Sequence, residues 1–270
     1  MNFGNILNEI ESTDPEVFEK VSQRRHIFKS FGTKVALAAL PFAIGSMFKK
    51  AYGQTTGSII DVLNFALTLE YLEAAFYEQG SANPALFPTS AAASAIATIG
   101  QHETAHVNFL KSAILASGGT PVSSPVFDFT AGGTFPDVFV SYQTFLAVAQ
   151  TFEDTGVRAY KGQAGNLISN NDVLTAALNI HSVEARHAAH IRQMRKANGF
   201  GDVKPWITNN DSGIGAVVQA SYDGEENTLQ AGIQIKDING KAISMSDASE
   251  AFDEPLSKDQ ILAIVAPFIV

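Results

Sequence analysis

The 270-residue chain contains no cysteine. Structural disulfides, thiolate-held zinc, iron–sulfur clusters, thiol catalysis and lipid attachment through Cys are thereby excluded. The apolar stretch Val35 to Phe48 covers only 14 residues and is interrupted by Pro41, whereas a membrane-crossing helix needs roughly 20. No basic cluster follows residue 53, and the net charge is −9. The chain therefore lacks the positive footprint that binding to nucleic acid or an anionic membrane surface requires. What it has in quantity is apolar side chain, 46% of residues, enough for a sizeable soluble core.

The first 53 residues read as an export signal. The segment "QRRHIFKSFGTKVALAALPFAIGSMFKKAYGQ" places a charged region before the apolar stretch and small residues at Ala51-Tyr52-Gly53, the order of a cleavable leader. Arg24 and Arg25, followed by "HIFK", resemble the twin-arginine pattern, although Gln23 stands where Ser or Thr is usual. The expected location is periplasmic or otherwise extracytoplasmic, with no stable membrane span after cleavage. Cleavage near Gly53 removes 7 basic and 5 acidic residues and leaves 11 against 22, a net −11.

From Ser58 a 3.6-residue apolar period dominates, cut by Gly and Pro into four segments of about 25 residues, or about 35–40 Å of helix. The first is expected from an N-cap at Ser58 to Gln79, stopped by Gly80. The second follows "NPALFPTS" and ends before Gly118-Gly119. The third carries Pro136 in its first turn, and the fourth, capped by Asn171 or Asp172, ends at Asn198-Gly199. Short loops make neighbours of helices one and two and of helices three and four. The 18 residues from Gly118 to Phe135 can run the bundle's length and start helix three parallel to helix two. The expected fold is all-α: a four-helix bundle over residues 54–198 with the ferritin-like long crossover between helices two and three. An irregular extension, residues 199–270, follows and ends in a helix from about Ser257, expected to dock on the bundle.

Each helix has a seam that is apolar at its ends and acidic in its middle. Ile59, Leu63 and Ala66 lead to Glu70, Glu73 and Tyr77; Ile96 and Ile99 lead to Glu103 and His106; Phe139, Tyr142 and Leu146 lead to Glu153; Ala177 and Ile180 lead to Glu184 and His187. Ionised carboxylates in a dry core are prohibitively costly unless compensated. No Lys or Arg lies on these seams, so bound divalent cations are the expected compensation, and carboxylates with a few imidazoles suit iron or manganese equally. Two Glu-x-x-His pairs, each on one helix face, plus one Glu from each remaining helix form the ligand set of the dinuclear carboxylate bundles. The chain also repeats itself: Glu70-x6-Tyr77 then Glu103-x2-His106, and Glu153-x6-Tyr160 then Glu184-x2-His187. This reads as a duplicated helix hairpin, and it selects Glu70 rather than Glu73 as the ligand of helix one.

The stretches "NFALTLEYLEAAFY", "GQHETAHVNFL", "TFEDTGVRAY" and "IHSVEARHAAHIR" make Ser58 to Asn198 resemble a ferritin-like domain of the group that includes desiccation-related proteins. By that resemblance Glu103 and Glu184 bridge two iron or manganese ions, Glu70 and Glu153 are terminal carboxylates, and His106 and His187 each complete one metal. Glu73, Tyr77 and Tyr160 are candidate partners of the ligands, and His102, His181 and His190 lie within a turn of them. Gly156 makes room for a small molecule beside Glu153 or for close helix packing. Two such metals about 3.5–4 Å apart could hold both ends of an O–O bond, so the expected activity is an oxidoreductase of the peroxidase, catalase or oxidase type, acting on dioxygen or hydrogen peroxide in stress defence. The alternatives are metal sequestration, with a homo-oligomeric cage, and a desiccation-stress structural protein without catalysis. "YDGEEN", Tyr222 to Asn227, lacks the spaced acids of a calcium loop and reads as a turn.

Overall fold

A computed structural model describes residues 56–270. The export-signal reading of residues 1–53, Arg24 and Arg25 included, falls outside them. Four long helices form the body: α1 (Thr56–Ser81), α2 (Ser90–Ala116), α3 (Tyr142–Ala164) and α4 (Asn171–Ala197). Side-chain caps explain three of the starts. Thr89 accepts from the Ala92 amide, Ser141 from Thr144 and Asn170 from Val173, each satisfying an amide that the first turn leaves open. No described helix is long and apolar enough to cross a membrane.

The boundaries differ from the sequence expectation in instructive ways. Ser58 lies inside α1 rather than capping it. Gly80 also lies inside α1, because its missing side chain serves packing and not termination: a Cβ there would run into the Phe145 ring of α3. Pro136 and Phe139 belong to turns that precede α3, held by the Val140 and Ser141 amides on the Asp137 carbonyl, both at 2.8 Å. The crossover therefore occupies residues 117–141, longer than the 18 residues expected. It climbs the length of α1. Asn64 binds Thr120 and Val122 at 3.2 and 2.8 Å, Tyr71 donates to the Val122 carbonyl, and Asn83 donates to the Phe139 carbonyl at 2.9 Å. Phe145, early in α3, stacks on Phe76, late in α1, with centroids 4.7 Å apart. Helix α3 thus starts at the end where α1 finishes, antiparallel to α1 and parallel to α2, which is the ferritin-like arrangement. Phe76 is fully buried there among Phe129, Phe139, Phe145 and Phe152.

Beyond α4 the chain is mostly turns. A two-stranded hairpin, β1 (Leu229–Gln230) with β2 (Ile233–Gln234), and two short helices, α5 (Met245–Ser249) and α6 (Lys258–Val265), are its regular parts. Helix α6 starts where the sequence places it, and it opens with a full capping box of Ser257 and Gln260. The extension is fastened to α3 by buried Arg158, which pairs with Glu225 at 2.7 Å and donates to the Ser221, Asp223 and Glu254 carbonyls. "YDGEEN" is indeed turns, and its Glu225 belongs to this ion pair. The Leu256 amide bonds the Arg158 carbonyl at 3.2 Å. The chain end pairs with the crossover, Val270 to Val126 and Asp128 to Phe268, both at 2.9 Å.

Gly162 of α3 lies directly under the Leu256 carbonyl, where a Cβ would collide with backbone that cannot rotate away. Gly162→Ala is therefore expected to destabilise the protein by about 1–3 kcal/mol through overpacking, despite the better helix propensity of Ala. Thermal denaturation checks it, and an unchanged or higher midpoint contradicts the described docking of residues 254–257.

Candidate metal centre

The four acidic seams meet in one buried layer. Glu70 of α1, Glu103 and His106 of α2, Glu153 of α3, and Glu184 and His187 of α4 converge, the four carboxylates fully buried and the histidines nearly so. Their donor atoms form two overlapping clusters, Glu70-Glu103-His106-Glu184 and Glu103-Glu153-Glu184-His187, each with all ligand atoms within 4.8 Å of one another. Glu103 and Glu184 belong to both. The six sequence-predicted residues are thus together, in two sets of four that share two members.

The alignment of these atoms is that of donors around cations. His187 Nδ1 stands 2.7 Å from Glu103 Oε1, 3.3 Å from Glu153 Oε2 and 3.4 Å from Glu184 Oε2. Among the described residues, none of these three oxygens nor Nδ1 itself has an aligned hydrogen-bond partner, and Glu184 Oε1 is likewise orphaned. Buried lone pairs this close that do not pair with one another need a common positive partner. His106 Nδ1 faces Glu70, Glu103 and Glu184 at 3.1, 2.9 and 3.1 Å. The buried guanidiniums nearby are engaged elsewhere: Arg192 holds Asp154 in a fork at 3.1 and 2.5 Å, Arg158 holds Glu225, and Arg195 donates to Gln150 and to the Phe200 and Gly213 carbonyls. The residues fit a metal, and the layer could hold ions through its carboxylates and the two Nδ1 atoms.

Around this layer sits a second set of contacts. Tyr77 donates to Glu153 Oε1 and Tyr160 donates to Glu70 Oε1. Each phenol of the repeat thus supports the carboxylate of the other half, across the α1/α3 interface. Burial, then the charge of the bonded glutamate, holds both phenols well above their usual range, so they remain donors. His102 was placed near the ligands by sequence without a defined partner. Its Nδ1 meets His187 Nε2 at 2.9 Å with the rings stacked, centroids 5.2 Å apart. Were Nδ1 to give its lone pair to a cation among the carboxylates, Nε2 would carry the proton and donate it to His102 Nδ1, the arrangement that orients a metal-binding imidazole. His181 instead contacts the Val157 carbonyl at 3.0 Å, and His190 is exposed. Glu73 is buried and lies beside Gly156, whose absent Cβ would come within 3.1 Å of Glu73 Oε1. Glu73 Oε1 therefore reaches toward the space that Gly156 leaves, and the two residues, with Thr155 and Phe152, line a small void of about 10 Å³.

Without cations, protons must neutralise the layer. Burial, then the Glu184 charge, pushes Glu70 and Glu73 well above the usual carboxylate range. Burial likewise raises Glu153 from 4.5 to about 8 against the pull of His187. Burial also opposes the charged forms of Glu103 and His187, but neighbouring opposite charges prevail. His106 and His187 bring Glu103 down to about 2, and Glu153 with the adjacent carboxylates lifts His187 to about 12.

Residues 58–197 match the ferritin-like domain family, and the chain belongs to it. No curated protein matches the chain.

Two outcomes are expected. Glu153 stabilises the metal-free fold fully below pH 4.5, and this contribution is lost as pH rises through about 8. Glu103 contributes above pH 4.5 and loses its contribution only as pH falls through about 2. His187, whose contribution is complete below its ordinary 6.5, loses it as pH rises through about 12. The metal-free protein therefore weakens between pH 5 and 8, whereas cations in place of the protons remove that dependence. Melting temperatures of metal-loaded and metal-free protein should diverge across this range, and a constant gap contradicts the assignment. Separately, His102→Ala should lower metal affinity about 10–100-fold in a competition titration. His102→Gln, which keeps an acceptor for His187, should retain most of it.

Proposed function

We propose that this chain is an exported metalloprotein whose ferritin-like bundle holds two iron or manganese ions and acts on dioxygen or hydrogen peroxide in stress defence, akin to the desiccation-related group. The observation that carries the reading is the pair of four-donor clusters sharing Glu103 and Glu184; two ions there would be held by Glu70 and His106 on one side and Glu153 and His187 on the other, with Glu103 and Glu184 within reach of both. Oxygen-rich donors without thiolate favour iron or manganese over structural zinc. Two adjacent cations, when bound, supply Lewis-acid stabilisation to both atoms of an O–O bond and share the charge as it breaks.

The protein's part is to hold and shield. Glu70 and Glu153 are oriented by Tyr160 and Tyr77, and His187 is oriented by His102. The apolar layers on either side, with Ile96, Ile180 and Leu110 among them, exclude bulk water and strengthen each electrostatic contact within. A twin-arginine-like leader supports export to an extracytoplasmic compartment in a folded, already metallated state. Substitution of Arg24 and Arg25 by Lys with export unchanged would remove that part of the reading.

Elemental analysis tests the centre. The purified mature protein is expected to carry two iron or manganese ions per chain, and a Glu103→Ala, Glu184→Ala double variant almost none. The loaded protein is expected to consume dioxygen or peroxide. Uptake of many more than two ions per chain into a cage-like oligomer would instead establish sequestration. A two-ion centre that raises thermal stability yet turns over neither oxidant would establish a structural brace.

A further inference from the structure

The layer of the bundle adjoining the carboxylates contains an apolar cavity. Ala66 precedes Glu70 by four residues on α1, Leu110 follows His106 by four on α2, and Ile180 precedes Glu184 by four on α4. All three line the cavity, together with Ala159 and Tyr160 of α3. Four residues of helix rise about 6 Å, so cavity and centre occupy successive layers. Tyr160 belongs to both, its ring lining the cavity and its hydroxyl bonded to Glu70. The cavity has a volume of about 20 Å³, above the roughly 10–15 Å³ that a single water occupies.

The lining restricts the occupant. Of its 15 residues, 13 are apolar. The Tyr160 hydroxyl is given to Glu70, and the Gln163 side-chain oxygen accepts from Asn166 at 2.9 Å. Water in such a space needs two to four polar partners, and hydrogen peroxide would similarly lose hydrogen bonds it makes in solution. Organic substrates of ordinary size do not fit. A molecule of two heavy atoms without hydrogen-bonding demand does.

We propose that this cavity is a binding site for dioxygen, held one layer from the metals, with Tyr160 common to cavity and centre. The inference rests on reading the centre as redox-active and selects, within that reading, dioxygen as the oxidant the fold accommodates. Tyr160 is the lining residue that also touches the centre, through its hydrogen bond to Glu70.

Crystals of the metal-loaded protein under xenon pressure test the site, because xenon enters dry apolar cavities. Xenon is expected in the space bounded by Ala66, Leu110 and Tyr160. Ala177→Leu, which adds three carbons at the lining, is expected to abolish xenon density with metal content intact and to raise severalfold the dioxygen concentration giving half-maximal consumption in the presence of an added one-electron reductant. Ala66→Val, a smaller addition, serves if that variant does not fold. Ordered water in the cavity, no xenon in the wild type, or a filled cavity with unmoved half-saturation would overturn the proposal. Xenon bound in a wild type that consumes no dioxygen would leave the gas site standing and refute the redox reading of the centre.

Discussion

Everything in this bundle is arranged around a concentration of negative charge that the apolar interior cannot tolerate alone. Glu70, Glu103, Glu153 and Glu184 are each sealed from solvent, and several of their oxygens face one another without hydrogen bonds. Such a layer survives only with positive partners at its centre, protons or cations. The buried arginines do not serve: Arg158, Arg192 and Arg195 are engaged in a separate polar zone where α3 and α4 meet the extension. The two kinds of buried charge are thus segregated: Arg158 and Arg192 pair with acids of the chain and Arg195 donates to neutral oxygens, whereas the carboxylate layer is left to protons or cations.

The duplication explains the geometry of the rest. Two Glu-x6-Tyr helices face each other so that each tyrosine reaches the opposite glutamate, which ties the halves together at the layer where repulsion is greatest. The symmetry then breaks at two points. Position 73 holds a glutamate whose counterpart, 156, is glycine, and the carboxylate lies beside the space the glycine leaves. His102, which supports His187, has Val183 as its counterpart, so His106 has no equivalent imidazole there. The two clusters are therefore chemically distinct despite identical ligand types.

The crossover and the extension give this layer its rigid walls. Asn64, Tyr71 and Asn83 hold the crossover along α1. Phe129 and Phe139 on that connection join Phe76, Phe145 and Phe152 in the aromatic core at one end of the bundle. Asp154, next to Glu153, is fixed by Arg192 and by Tyr222 of the extension at 2.8 Å, so residues far beyond the four helices brace the α3 segment that carries a site carboxylate.

The six candidate ligands and the four helices were legible in the linear order, because helical periodicity is local and a carboxylate interrupting an apolar seam has few explanations. Tertiary structure decided what depends on neighbours from other helices. Gly80 reads as a helix stop, but the Phe145 ring requires it to be a packing glycine within α1. Pro136 reads as a helix start, yet turn bonds at Asp137 and the Ser141 cap delay α3 to Tyr142. Which glutamate each tyrosine serves, what His102 touches, why Gly156 lacks a side chain and where an apolar space adjoins the centre are contacts between helices. Residue spacing along one helix carries no information about the side chain that arrives from the next, and only the packed bundle sets those pairs.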